Sequence, residues 1–342
     1  MKAMLAVTMG DPVGIGPEVA MKGFLAAPST RMHVGDPQVF RRTAEHLGLD
    51  LPFVEVRSPE EAAEQAEGLF LILPTENKVS HLAAAGGAYP FGHPHPSHAA
   101  ATMESILTCC RLAMAGRVDG VVTPPINKAV LHSAGFAVPG HTELLAHCAG
   151  VSYPVMMLAG AGLRVVPVTI HQSLRSVPET LTAELLEKSI RITYAALQRD
   201  FAIAQPRLMV AALNPHAGEG GAFGHEEQEI IIPVCRSLAQ ELPSGALQGP
   251  FPADTLFHPQ ARANYDAILC MYHDQALIPL KMLAFGQAVN VTLGLPIVRT
   301  SVDHGTAYAI AGQGVADDSS FRLAVQLARK LADNRKRTPS SA

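Results

Sequence analysis

Short apolar runs alternate with longer stretches whose apolar residues recur every three or four positions, and this continues along most of the chain. The runs Ala3–Thr8, Arg31–Val34, Leu69–Leu73 and Gly120–Thr123 read as buried strands. So do Val155–Leu158, Arg164–Ile170, Leu208–Leu213, Ala267–Met271, Val289–Leu293 and Ile297–Thr300. Helices are expected over Pro17–Ala26, Pro37–Leu47, about Ser97–Ala115, 182–200, 225–241 and 318–332. Strands apolar on both faces, separated by crossover helices, predict a mostly parallel, doubly wound α/β sheet. No internal repeat is visible, and the basic tail Asn334–Ala342 is expected to fray.

At 342 residues the chain is long enough for two domains or one large unit with a cleft. A break near Thr123–Pro125, with a return near Thr300, would give an outer domain of 1–124 plus 301–342 and an inner one of 125–300. The 26 Lys and Arg against 30 Asp and Glu leave a net charge of −4, without a basic run before the tail. A nucleic-acid or membrane-surface role therefore has little electrostatic support. No apolar run approaches the ~20 residues that span a bilayer, and the first ten residues lack a leader pattern, so a cytoplasmic protein is expected. The five cysteines, odd in number and without C-x-x-C spacing, read as buried reduced thiols.

Fifteen histidines are many for this length, and three of them share a placement. His171 follows the run ending at Ile170, His216 follows Val210–Pro215, and His273 follows Ile268–Tyr272. In an open α/β sheet the carboxyl ends of strands line the ligand crevice. Each imidazole alone could be an ordinary loop-start or capping residue. Three sharing one edge suit Zn²⁺, Co²⁺ or a similar divalent ion with coordination positions left open for substrate. Asp274 is placed to orient an imidazole, and Gly218, Gly220 and Gly221 allow a close backbone approach. The denser cluster His93-Pro-His95-Pro-Ser-His98 reads instead as an exposed, proline-extended loop.

Gly10-Asp-Pro-Val-Gly-Ile-Gly-Pro-Glu18 follows a strand and opens a helix, with Asp36 downstream, and so imitates a dinucleotide fingerprint. Val19 at the third glycine position and Pro17 in the first turn argue against it; Pro17 removes an N–H that a pyrophosphate would need. A tight turn capped by Pro17 and Glu18 is expected instead. Downstream, Lys281 lies two turns beyond His273 if the helix passes Pro279, while Asn290 and Arg299 flank two short strands. Together with the helix opening at Gly140-His141-Thr142-Glu143, these suggest recognition of a phosphate or carboxylate.

The segments Gly10–Glu18, Pro125-Ile-Asn-Lys128, Gly140–Glu143, Asn214-Pro-His-Ala-Gly-Glu-Gly-Gly221, Pro252-Ala-Asp-Thr255, Met271-Tyr-His-Asp-Gln275, Asn290–Pro296 and Arg299–Thr306 together resemble the PdxA family. Its members are the 4-hydroxythreonine-4-phosphate dehydrogenases of pyridoxal phosphate synthesis. The resemblance implies a two-domain α/β fold of the isocitrate/isopropylmalate dehydrogenase type, with mostly parallel sheets and a central cleft. It also implies a homodimer whose active sites lie near the subunit interface. A divalent metal (Zn, Co or Mg) would be held by His171, His216 and His273, one of them from the partner chain. Substrate contacts would fall to His141, Thr142, Lys281, Asn290 and Arg299, and NAD or NADP to Asp303, His304, Gly305 and Thr306. Asp254 is a candidate proton acceptor, although an N-cap role fits that residue equally. The implied reaction is oxidation of a phosphorylated hydroxythreonine followed by loss of CO₂. Gln287-Ala288 and Gln172-Ser173 depart from the expected family pattern. Related branches act on threonate phosphates or dihydrodiol carboxylates; a metal-dependent hydrolase, an aldolase or a metabolite sensor would use a similar pocket.

Overall fold

The structure, a computed structural model, describes residues 3–80, 89–136 and 140–337. Twelve strands lie among them: β1 (Leu5–Thr8), β2 (Arg31–Gly35), β3 (Phe53–Glu55), β4 (Phe70–Pro74), β5 (Gly120–Thr123), β6 (Val155–Gly160), β7 (Leu163–Pro167), β8 (Leu208–Ala211), β9 (Leu247–Phe251), β10 (Ala267–Cys270), β11 (Val289–Leu293) and β12 (Arg299–Val302). The chain divides into one unit of Met1–Pro154 with Leu295–Asp333 and another of Val155–Gly294 with Asn334–Ala342. The first division thus falls about thirty residues beyond the expected break at 124 and takes the helix His141–Cys148 into the first unit.

In the first unit the strands run β3-β4-β2-β1-β5-β12, every neighbouring pair parallel. β1 and β5 are completely buried, which explains their unbroken apolar character. The helix Ala99–Met114 packs on β1, β2 and β5 with Ile106, Cys109 and Cys110 in the core. His33 is a core histidine: it stacks on Phe70 at 4.0 Å, and burial drives its pKa far below the usual imidazole value. Helix starts follow simple capping chemistry, as where Asp36 accepts from the Gln38 amide and Pro37 occupies the first turn.

In the second unit the order is β11-β6-β7-β10-β8-β9. β11, β6 and β7 pair antiparallel, whereas β7, β10, β8 and β9 are parallel neighbours. The parallel, doubly wound expectation therefore holds for part of this unit only, because Ala161-Gly162 closes a two-residue hairpin with both residues at positive φ. Several expected boundaries shift. The run ending at Ile170 stops as a strand at Pro167, and the one ending at Leu213 stops at Ala211. The expected strand 297–300 lies at Arg299–Val302. The helix expected from 225 begins at Ile232 after a π-type turn over Glu227–Ile231.

Two other expectations are corrected. Cys110 and Cys148 form a disulfide joining the helices Ala99–Met114 and His141–Cys148, while Cys109, Cys235 and Cys270 are buried free thiols. In the proline-rich loop His93 and His95 are exposed, but His98 is buried where the chain turns into the helix Ala99–Met114.

Candidate active site

The three histidines leave the same edge of the second unit. β7, β10 and β8 are adjacent and parallel, and His171, His273 and His216 follow their ends at Pro167, Cys270 and Ala211 by four, three and five residues. Thr169 extends the pairing beyond β7, its hydroxyl donating to the Met271 carbonyl at 2.7 Å. That ladder carries His171 alongside His273, with ring centroids 5.9 Å apart. Beside them lies a cavity of about 470 Å³ lined by Ile170, His171, Gln172, Leu174, Tyr272 and His273 among others. Gln172, one of the departures from the family pattern, lines it and donates to the Thr180 hydroxyl.

His216 occupies a different setting, in a left-handed turn. His216, Ala217, Gly218, Glu219 and Gly220 all have positive φ, between 43° and 80°. For each of the three non-glycine residues that conformation costs roughly 1–2 kcal/mol. The turn is anchored by Glu227, a fully buried carboxylate that no sequence motif singles out. Its Oε1 accepts from the Leu213 and Asn214 amides at 2.9 and 2.8 Å, and its Oε2 accepts from Asn214 Nδ2 at 2.9 Å. A side chain at Gly218 would collide with that carboxylate, since a Cβ there would lie 2.7 Å from Oε2. Gln275 ties β10 to β8 by accepting from the Met271 amide and donating to the Ala212 carbonyl.

Among the described residues no group of three His, Cys, Asp or Glu side chains within one chain stands close enough to hold a metal. The chain thus brings His171 and His273 together and leaves His216 apart. The donor chemistry nevertheless fits a divalent ion. His273 Nδ1 donates to Asp274 at 2.7 Å and His216 Nδ1 to Glu219 at 3.1 Å. Each contact frees Nε2 as a ligand, the arrangement by which carboxylates orient metal-binding imidazoles.

In the first unit a separate constellation collects positive charge. Arg299, at the start of β12, is buried, and its Nε and Nη2 donate to the Thr123 hydroxyl at 3.2 and 2.8 Å. Its Nη1 reaches Thr142 Oγ1 at 3.4 Å. Burial lowers the Arg299 pKa to about 10, still charged at neutral pH. His141 and Thr142 stand at the N-terminus of their helix, where free amides favour an anion. Burial, then the charges of Arg299 and Lys128, push the His141 pKa well below its usual value. Its Nε2 has no hydrogen-bond partner.

Lys281 and Asn290 belong to the second unit. The helix His273–Ala284 runs through Pro279, so Lys281 sits two turns beyond His273, half-buried. Asn290 projects from β11 with a buried, unpartnered Oδ1. Asp254 lies exposed inside the one-turn helix Ala253–Thr255, whose N-cap position is Pro252, so it does not cap that helix.

The turn Asp303–Thr306 follows β12. His304 Nδ1 donates to the Gly305 carbonyl at 3.0 Å, leaving a buried Nε2 that has no partner. Buried polar atoms without partners cost free energy unless something else satisfies them. Those of His141, Asn290 and His304 fall on residues singled out for substrate or cofactor, and an acceptor nitrogen in the 303–306 turn fits a nicotinamide nucleotide's hydroxyl or amide donors.

The family model for "Pyridoxal phosphate biosynthetic protein PdxA" matches residues 27–328. The 4-hydroxythreonine-4-phosphate dehydrogenases of Paracoccus denitrificans and Caulobacter vibrioides are each 48% identical to this chain, covering 97% of it and 98% of their own length. Among solved structures, the 4-hydroxythreonine-4-phosphate dehydrogenase of Klebsiella pneumoniae superposes with a TM-score of 0.86 at 35% identity, over 96% of this chain and 99% of its own. A terephthalate 1,2-cis-dihydrodiol dehydrogenase from Burkholderia xenovorans gives a TM-score of 0.66 at 30% identity, over 96% and 98%.

Proposed function

This chain belongs to the PdxA family, and from that premise we propose that it is a 4-hydroxythreonine-4-phosphate dehydrogenase. It oxidises 4-phosphohydroxy-L-threonine with NAD or NADP and releases CO₂, giving 3-amino-2-oxopropyl phosphate for pyridoxal phosphate synthesis. The observation carrying this reading is the 48% identity to 4-hydroxythreonine-4-phosphate dehydrogenases along the whole chain; the histidine edge within the second unit and, separately, the buried arginine and unpartnered imidazole within the first agree with it. A hydrolase or sensor accounts for the anion site but not for near-half identity to dehydrogenases along the whole chain. The dihydrodiol branch is less well supported, since the dihydrodiol enzyme superposes less closely than the phosphate enzyme.

In this proposal His171 and His273 hold a divalent ion, Zn, Co or Mg, with His216 supplied by a second copy of the chain. The ion supplies Lewis acidity to a substrate hydroxyl, and the nicotinamide serves as two-electron acceptor. Arg299 and the helix opening at His141-Thr142 bind the anionic end of the substrate; Lys281 and Asn290 hold and orient the rest. Asp254 is the candidate proton acceptor, exposed and free of a capping role. Asp303, His304, Gly305 and Thr306 receive the cofactor.

A homodimer is supported by the helix His273–Ala284. Ile278 and Met282 stand one turn apart on one face of it, Phe285 follows at its C-cap, and the three are 65%, 83% and 82% exposed. No helix among the described residues is long and apolar enough to cross a membrane; the likeness to biosynthetic dehydrogenases is what supports a cytoplasmic enzyme. The test is absorbance of reduced cofactor with purified protein, a divalent metal and either NAD⁺ or NADP⁺. Phosphorylated hydroxythreonine should support reduction and release of CO₂. Turnover only with a threonate phosphate or a dihydrodiol carboxylate would overturn the substrate, and activity without any metal would overturn the role of the histidines.

A further inference from the structure

The Gly10–Gly16 loop is a sequence motif to which the proposed function gives no task. It is built around Asp11, which is buried although it carries a carboxylate. Asp11 Oδ2 accepts from the Tyr308 hydroxyl at 2.6 Å, and Oδ1 accepts from the Val13 amide at 3.0 Å. The Asp11 amide donates to the Pro125 carbonyl at 2.8 Å, fixing the loop to the segment after β5. Tyr308 belongs to the chain that leaves the 303–306 turn, directly after Ala307 in the left-handed region at φ 45°.

The same two segments meet at a second point, where the Ile15 amide donates to the Thr306 carbonyl at 3.0 Å. Gly14 permits this close approach: a Cβ would lie 3.0 Å from that carbonyl oxygen and 3.1 Å from the Thr306 Cβ, so the Thr306 segment would have to give way by a few tenths of an ångström. The Asp11 amide is thus committed to Pro125, the Val13 amide to Asp11 itself and the Ile15 amide to Thr306, while the carboxylate takes the Tyr308 hydroxyl, so these donors are not available as a phosphate cradle.

We propose that Asp11 is a positioning residue that, through Tyr308, holds the Asp303–Thr306 turn in the shape that receives the nicotinamide cofactor. The glycine-rich motif is then a scaffold for the cofactor turn and touches neither phosphate nor substrate. This rests on the assignment of residues 303–306 to the cofactor.

The test uses full-length protein and the variants Asp11→Asn, Tyr308→Phe and the double variant. Hydrogen exchange of the wild type with and without NADH comes first, followed by NADH binding by fluorescence and substrate binding by calorimetry. NADH should protect residues 303–308. Each single variant should speed exchange at 303–308 without cofactor and weaken NADH binding about tenfold, as for loss of one hydrogen bond to a charged group. Substrate affinity should stay within about twofold, and the double variant should be no worse than the weaker single one, because both act on the same Asp11–Tyr308 contact. If NADH leaves 303–308 unprotected, the cofactor assignment fails and the proposal with it. If NADH protects the turn but the variants bind it like the wild type, or lose cofactor and substrate affinity equally, the cofactor assignment stands and the role of Asp11 is overturned. Tyr308→Phe removes only a hydroxyl at a half-buried position, so the comparison survives if Asp11→Asn fails to fold.

Discussion

Replacing Glu227 with Gln tests how the His216 turn is held. The carboxylate accepts three hydrogen bonds: two backbone amides on Oε1 and Asn214 Nδ2 on Oε2. Glutamine keeps an oxygen for the amides but sets its own NH₂ against Asn214 Nδ2, donor against donor. One charge-assisted bond is lost and two are weakened, about 3 kcal/mol in all. The left-handed conformations of His216, Ala217 and Glu219 together cost roughly 3–6 kcal/mol, a comparable amount, so the turn relaxes once its anchor weakens. A local loss of about 3 kcal/mol raises opening of the segment about 100-fold. Hydrogen exchange should show the Leu213 and Asn214 amides exchanging faster by that factor while Ile268–Cys270 in the core is unchanged. Divalent-metal affinity should fall with it. Unchanged exchange at Leu213 and Asn214, or uniform loosening of the whole chain, would show that Glu227 does not hold the turn.

Arg299→Lys removes the fork that grips Thr123 and reaches Thr142, and should lower kcat/KM about 10- to 100-fold through the substrate's KM, with the KM for NAD little changed. An unaltered substrate KM would remove Arg299 from the site. Asp200→Asn should destabilise the protein at pH 7 by about 1–2 kcal/mol in urea melts, because Asp200 is buried between Arg335 and the half-exposed Arg199. Those bonds hold the Asp200 pKa below its ordinary value against the opposing effect of burial. The wild type's advantage is therefore full above the unfolded pKa of about 3.9 and shrinks as pH falls through the lower folded value; a gap independent of pH would contradict this.

The placement of His171, His216 and His273 was legible because each polar ring directly follows an apolar run, and the parallel arrangement of β7, β10 and β8 then sends all three to one edge. Their supports were not legible. Glu227 lies thirteen residues beyond Asn214 in a segment that reads as an amphipathic helix, so its burial against the turn has no local signature. β9 escaped notice because Gly249-Pro250 sits inside it, a pairing that normally marks a break and is tolerated here on an edge strand. β3 is only three residues long and half-exposed. The Cys110–Cys148 pair joins residues 38 apart with no motif between them, and only the packing of their helices brings them together. In the Gly10–Gly16 loop the glycines were readable as a tight turn, but their contacts with Thr306 and Tyr308 span nearly 300 residues of sequence.

Whether two copies of the chain complete one metal site is decided by mixing defects. His216→Ala and His273→Ala subunits, each inactive alone, are co-expressed with different tags and the mixed pair is isolated. If His216 is donated across the interface, one of the two sites in that pair is intact, so the pair should bind one metal ion and recover about half of the wild-type rate. A mixed pair as inactive and metal-free as either parent would show that all three ligands must come from one chain.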